Sequence, residues 1–354
     1  MSLKNLRNRI DKVDSEILKL LNKRAELTKE IGAYKLKNRK GVYVPDRERQ
    51  VYQRLVKMNK GPLSEKSVRA IYKEIMSGAL CLEKPIVIAY LGPQYTFTNL
   101  AALKKFGSSV DYVSCNNITD VFEEVEKERA DYGVVPIENS TEGAVNHTLD
   151  MFIDSNLLIC SEVYLDISHN LLSRESSLAN IKKIYSNPQV FGQCRLWLES
   201  NMPNVEMIET TSTTKAAERA AKEKQSGCIS SVLAAEGYGL RLICKSIQDS
   251  SYNVTRFLVI GKTIAKPTEL DKTSIMFSLR DRVGGLHDML VPFKKNGINL
   301  TKIESRPSKV RPWEYYFFVD AEGHRSSKKL TKSLESLKKG AAFIKILGSY
   351  PAGD

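Results

Sequence analysis

Val134-Val135-Pro136-Ile137-Glu138-Asn139-Ser140-Thr141-Glu142-Gly143 is the stretch on which the reading of this chain turns. A buried-strand pattern over 132–137 runs straight into small hydrogen-bonding residues, and Gly143 then opens a helical pattern over 144–152. In an open α/β sheet, ligands sit beyond the carboxyl ends of strands, where helix N-termini offer free N–H groups to anions. Two carboxylates, an amide and two hydroxyls at such a place can seat a small, polar, anionic molecule. Asn, Ser and Thr are also the ordinary N-cap residues, so the same stretch reads equally as a capped helix start.

Working outward, strand and helix patterns alternate from Pro85 to about residue 265. Strands are expected near 86–91, 110–114, 132–137, 157–165, 181–186, 205–210, 227–231 and 254–260. Helices are expected near 98–106, 118–129, 144–154, 190–200, 213–224 and 232–236. Such alternation means α/β with a mainly parallel sheet. Polar clusters follow the strands, and four of them carry a resemblance: Leu91-Gly92-Pro93-x-x-Thr96-Phe97-Thr98, Pro136 to Gly143, His169-Asn170-Leu171-Leu172 and Thr255-Arg256-Phe257. Together they resemble the prephenate dehydratase family over 85–265. Tyr95 stands where the first motif usually has Gly, so that loop is expected to take a different backbone shape. The resemblance implies two α/β lobes like a periplasmic binding protein, the second inserted at about 165–240, with prephenate in the cleft. It makes Thr255 the proton donor to the leaving hydroxyl and gives Arg256 a carboxylate. It lines the cleft with Thr96, Glu138, Asn139, Ser140, Thr141, Ser186 and Gln193.

The first 84 residues carry a different pattern. Apolar residues at 3, 6, 10, 13, 17, 20, 27, 31 and 34 alternate by three and four, which predicts one long helix over 3–37. Arg24 takes the position where the seam calls for an apolar residue, and a guanidinium there either meets an anion or snorkels past its neighbours. Arg7 and Lys35 share a second stripe but lie roughly 42 Å apart at 1.5 Å per residue, whereas Arg24 and Lys35 are separated by only about 16 Å. One ligand can meet all three only if Arg7 comes from a second, antiparallel copy, which predicts an interlocked dimer. After a break at Lys40-Gly41, a second helix starts near Asp46 and a third is capped by Ser64; Glu83 falls on the third helix's apolar face, expected to be protonatable and so able to donate a hydrogen bond. Arg7, Arg24, Lys35, the Asp46-Arg47-Glu48-Arg49 run and Glu83 resemble the all-helical chorismate mutases. By that resemblance Arg7 of a partner chain, Arg24, Lys35 and Arg47 hold chorismate's carboxylates and ether region, Glu48 its ring hydroxyl, and Glu83 the ether oxygen. Val44 and Ala79 stand where some members have Asp and Ser.

From 272 to 351 the expected order is βαββαβ, a ferredoxin-like arrangement: strands 273–279, 298–304, 315–321 and 341–347, helices 284–295 and 327–339. Gly284-Gly285-Leu286 and Glu304-Ser305-Arg306-Pro307 resemble the regulatory ACT domain. That resemblance implies L-phenylalanine as an inhibitory effector bound between paired domains by Gly284, Leu286, Asn299, Glu304, Ser305 and Arg306.

The whole chain, 354 residues, is thus expected to be multidomain: helical 1–84, two-lobed α/β 85–265, ferredoxin-like 272–351. Six scattered cysteines and four dispersed histidines form no metal or disulfide motif, so no cofactor or metal is expected, and a reducing cytoplasm suits the thiols. No run approaches a membrane span. The net charge of +13, from 54 Lys+Arg against 41 Asp+Glu, is spread among glutamates along helices, which favours small anions over nucleic acid. The order of the three resemblances implies an enzyme with two activities. Two other readings remain: a dehydratase whose N-terminal helices only dimerise, and a ligand-sensing transcription regulator, disfavoured by the unbroken helix.

Overall fold

Helix α1 (Leu3–Lys37) is capped by Ser2, whose side chain accepts from Asn5 N, and it runs without a break for 35 residues. Its seam has no cover: Ile10 is 59% exposed and Ile17 47%, with Leu3, Val13, Leu20 and Leu27 similarly open. Helix α2 (Pro45–Met58) starts at Pro45, and α3 (Glu65–Glu83) is capped by Ser64. Gly32 explains how closely α1 and α3 pack, because a Cβ there would lie 2.8 Å from Glu83 Cα. This computed structural model describes residues 2–38, 41, 43–279, 282–308 and 314–353, so the expected break at Lys40 lies outside them.

Beyond Pro85 the chain forms β1 (Val87–Leu91), α4 (Phe97–Phe106), β2 (Asp111–Cys115), α5 (Ile118–Glu126), β3 (Tyr132–Asn139), the short β4 (Gly143–Ala144), α6 (Asn146–Asp154) and β5 (Leu158–Asp166). A second lobe then follows: β6 (Asn170–Ser173), β7 (Lys183–Ser186), α7 (Pro188–Gln193), α8 (Arg195–Asn201), β8 (Glu206–Glu209), α9 (Thr213–Ala220), β9 (Ser226–Ser230), α10 (Val232–Tyr238) and β10 (Arg241–Cys244). The chain returns as β11 (Val254–Gly261). Among the described residues the first sheet runs β2-β1-β3-β11-β5 and the second β10-β6-β9-β7-β8. Both are mixed. β11 pairs antiparallel with β3 and β5, and β6 pairs antiparallel with β9 and β10. A returning strand inserted between two others accounts for the departure from a mainly parallel sheet. β6 and β10, both short and flanked by polar residues, were not expected, and β10 carries the second lobe past 240 to Cys244.

The last part is β12 (Asp271–Ser278), α11 (Gly285–Lys295), β13 (Leu300–Pro307), β14 (Tyr315–Glu322), α12 (Lys328–Gly340) and β15 (Phe343–Pro351), in the sheet order β13-β14-β12-β15. Glu304 to Pro307 lie within β13 rather than after a strand. This sheet packs on the first lobe: Met276, Phe318, Leu347 and Tyr350 share one core with Val135, Phe152 and Leu258. No described helix is long and apolar enough to cross a membrane.

Candidate functional site

Two cavities hold nine of the fifteen expected substrate-binding residues. The first, about 720 Å³, lies among α1, α2 and α3 and is lined by Arg24, Lys35, Arg47, Glu48 and Glu83 together with Tyr43, Val44, Arg54, Lys73 and Lys105. Helix spacing explains the convergence: Arg47 and Arg54 are seven residues apart, hence on one face of α2. Arg24 has no side-chain partner among the described residues, so its guanidinium stands ready for an anion. Glu83 does not stand alone on an apolar face as expected, because the Lys35 ammonium sits 2.7 Å from its Oε2. Arg7, on the exposed far part of α1, does not reach this cavity within the chain, as the roughly 42 Å span requires.

The second cavity, about 440 Å³, opens between the two α/β lobes. It is lined by Thr96, Asn139, Gln193 and Thr255 from the expected set, and by Glu142, His169, Asn187, Thr211, Ser212 and Asn253. Asn139 Nδ2 donates to Thr255 Oγ1 at 2.7 Å and to Asn253 Oδ1 at 2.8 Å. Asn253 in turn donates to Gln193 Oε1 at 3.1 Å, and Gln193 Nε2 donates to Glu142 Oε1 at 2.9 Å. His169 Nε2 donates to Gln193 Oε1 at 2.7 Å; burial, opposed by that bond, holds its pKa below the ordinary histidine value. Thr255 Oγ1 therefore spends a lone pair on Asn139 and keeps its own proton for the cleft. Lys and Arg are absent from the described lining; instead the N-termini of α4, α6 and α9 face the cavity through Thr96, Val145 and Ser212. Their free N–H groups favour anions.

Several expected cleft residues are elsewhere, and strand geometry says why. Successive side chains on a strand point to opposite faces, so Arg256, beside Thr255, points away from the cleft. It is 6% exposed and bonds Glu162 (2.7 Å), Asp320 (2.5 Å) and the Tyr350 hydroxyl (3.0 Å). Glu138, beside Asn139, likewise faces β13 and pairs with Lys302 at 2.9 Å. Ser140 and Thr141 are used locally: Ser140 donates to Tyr252 O, and Thr141 donates to Asn139 Oδ1. Ser186 is fully buried and donates to Ile229 O. The signal missed was the i, i+2 relation of Asn253 to Thr255, while the His169-Asn170 motif was quoted without giving His169 a place in the cleft.

Tyr95 lies where the two lobes meet. Its φ of 71° lies in the left-handed region that favours glycine, so Tyr95 holds a backbone conformation unusual for a side-chain-bearing residue. Its ring lies on Gly237 and meets Tyr238 edge-on at 5.5 Å, joining the first lobe to α10. In the C-terminal part, Gly284 caps α11 at φ 75°, Leu286 packs in the local core, and Asn299 donates to Glu322. Alternation along β13 leaves Ser305 exposed and turns Glu304 and Arg306 the other way. Arg306 is not open to a ligand there: it makes a two-pronged ion pair with Asp150 of α6, both bonds 3.0 Å. Among the described residues no acidic, histidine and cysteine group could hold a metal ion.

Residues 6–84 match the family described as chorismate mutase type II, 88–265 prephenate dehydratase, and 273–339 the ACT domain. A bifunctional chorismate mutase/prephenate dehydratase of Aquifex aeolicus (strain VF5) is 50% identical over 99% of this chain and 98% of its own length. The structure of prephenate dehydratase from Arthrobacter aurescens in complex with L-Phe is 32% identical, with TM-score 0.71, over 75% of this chain and 90% of that one. GqqA, described as a novel type of quorum quenching acylase, is 26% identical with TM-score 0.70 over 75% of this chain and 98% of its own. One α/β architecture thus carries more than one chemistry, and the full-length relative discriminates where the fold does not.

Proposed function

Because the chain belongs to the family of bifunctional chorismate mutase/prephenate dehydratases, we propose that its two cavities run the two reactions in sequence. Chorismate is rearranged to prephenate among the helices, and prephenate is converted in the cleft to phenylpyruvate, water and carbon dioxide. The single observation that carries the assignment is the 2.7 Å bond between Asn139 and Thr255, residues 116 apart in sequence yet joined inside a cavity.

The rearrangement needs no covalent intermediate. Arg24, Lys35 and Arg47 hold the two carboxylates and so select the compact conformer, while cations beside the ether oxygen stabilise charge as its bond breaks. Glu48 accepts from the ring hydroxyl. Arg7 joins from the second copy in an antiparallel dimer, which the uncovered apolar seam of α1 supports, since contiguous exposed apolar surface marks an interface. In the cleft, the bond to the departing carboxylate breaks and its electron pair enters the ring; the C–O bond breaks on the other side, and the hydroxyl leaves as water with a proton from Thr255, which regains one from solvent water. A threonine hydroxyl is a weak acid, so its effect rests on placement, which Asn139 supplies. Glu138, Ser140, Thr141, Ser186 and Arg256 act behind that surface rather than on substrate.

L-phenylalanine inhibits the second step by binding near Gly284, Leu286, Asn299 and Ser305, a reading supported by the matched ACT domain and by the L-Phe complex of the Arthrobacter relative. The boundaries 1–84, 85–265 and 272–351 and a cytoplasmic setting, suited to six unpaired cysteines, complete the proposal. Feeding chorismate to the purified chain and following phenylpyruvate, with and without phenylalanine, tests it. Accumulation of prephenate without phenylpyruvate, or a rate indifferent to phenylalanine, would refute the corresponding part.

A further inference from the structure

The helical cavity is not walled by the helical segment alone. Lys105 and Phe106, at the end of α4, line it together with α1, α2 and α3. Lys105 Nζ lies 3.1 Å from Glu48 Oε2, with only 19% and 16% of the two side chains exposed. The Tyr43 hydroxyl donates to the same oxygen at 3.0 Å. Tyr43 is itself held by the α/β part: it is 5% exposed, with its ring centroid 5.0 Å from Phe106 and 5.3 Å from Tyr132. Lys105 also sits 5.7 Å over the Tyr43 ring. Two donors converge on Oε2, which fixes the carboxylate plane and leaves Oε1 to accept from a ligand hydroxyl. A half-buried ion pair with a second donor is a charge-assisted arrangement, stronger than a surface pair.

We propose that Lys105, supplied by the dehydratase part of the chain, is a positioning residue for the mutase reaction, completing that site across the domain boundary by orienting Glu48. The inference rests on the mutase reading of the helical cavity. It also assigns a use to Tyr43, whose ring packs on Phe106 and Tyr132 while its hydroxyl bonds Glu48. Lys105 lies at the opposite end of α4 from Thr96, so the inter-lobe cleft is untouched by its replacement.

The test uses the full chain with two separate assays, chorismate consumption and phenylpyruvate release from supplied prephenate. Lys105→Met is expected to lower mutase kcat/KM on the order of 10–100-fold, the range for a hydrogen bond to a charged group. Dehydratase turnover and Tm should stay near wild type, and Lys105→Arg should restore most of the mutase loss. Tyr43→Phe should weaken the mutase by itself but add less than its full effect to Lys105→Met, because both act on one oxygen. Mutase kcat/KM in Lys105→Met within about twofold of wild type, or equal losses in both assays with a fall in Tm, would reduce Lys105 to a docking contact and overturn the proposal. A wild-type chain that consumed no chorismate, while still dehydrating prephenate, would overturn the mutase reading itself.

Discussion

The two cavities proposed for the two substrates, both dianions of similar size, are built oppositely. The helical one is lined by Arg24, Lys35, Arg47, Arg54, Lys73 and Lys105, whereas the described lining of the cleft has no Lys or Arg and relies on amides, hydroxyls and helix N-termini. The chemistry of each step accounts for the difference. In the rearrangement both carboxylates keep their charge from start to finish, so cations that hold them tightly do no harm. In the second step one carboxylate becomes neutral carbon dioxide as its electrons enter the ring. A guanidinium pinned to it would stabilise the ground state more than the transition state, and such binding slows the chemical step. Neutral donors spread over helix ends bind the anion without opposing its loss.

The largest expected effect isolates the cleft from the helical cavity. Thr255→Ala should lower dehydratase kcat by ~10²–10³, the usual cost of one well-placed donor, and leave chorismate consumption unchanged. Wild-type turnover from the variant would end the assignment of Thr255. A smaller effect addresses the absence of cations directly. Gln189 lines the cleft from the start of α7 and lies outside the Asn139–Gln193 network. Gln189→Arg should tighten prephenate binding and lower dehydratase kcat by about tenfold, a loss of roughly 1.4 kcal/mol. A kcat that rises with the added cation would break the comparison.

The helical site was more legible in the sequence than the cleft, for reasons of period. On a helix the rise per residue showed that Arg24 and Lys35 can meet one ligand and Arg7 cannot, and the resemblance added Arg47 and Glu48 from the next helix. In the cleft, side chains adjacent in a motif are not neighbours in space. Arg256 follows Thr255 and Glu138 precedes Asn139, but a strand of period two sends each to the far face, where Asp320 and Lys302 receive them. The alternation rule was sufficient to predict this once 132–139 and 254–261 were strands. What spacing could not supply was the identity of the partners: Lys105, Asp150, Asp320 and Tyr350 lie in other segments, and only the docking of the three parts brings them in.

Charged and neutral devices also differ in their response to salt. Exposed charges lose most of their reach beyond a Debye length of about 10 Å at 0.1 M ionic strength. Raising ionic strength from about 0.05 to about 0.5 M should therefore increase the mutase KM several-fold. The dehydratase KM should move less, since hydrogen bonds in a narrow cleft are short-ranged. Equal salt slopes for the two activities would mean that the cleft draws on side-chain cations after all.

The smallest effect concerns the neutrality of the cleft itself, and it turns on His169. The ring is 2% exposed, donates through Nε2 to Gln193, and its Nδ1 has no partner among the described residues. A proton added at Nδ1 would create a buried N–H without an acceptor, and burial accordingly lowers the pKa from 6.5. The unfolded chain takes up that proton more readily than the folded one. Stability attached to neutral His169 is therefore fully present above about pH 6.5, the unfolded value, and is lost as pH falls through the depressed folded value. Replacing His169 by Gln, which keeps a donor for Gln193, should remove this dependence. Between pH 7.5 and 5 the Tm of wild type should fall more than that of His169→Gln, while the two run parallel above about pH 7. Parallel curves over the whole range would mean that the folded state accommodates the charge, and the cleft's neutrality would then have to be explained by something other than its burial.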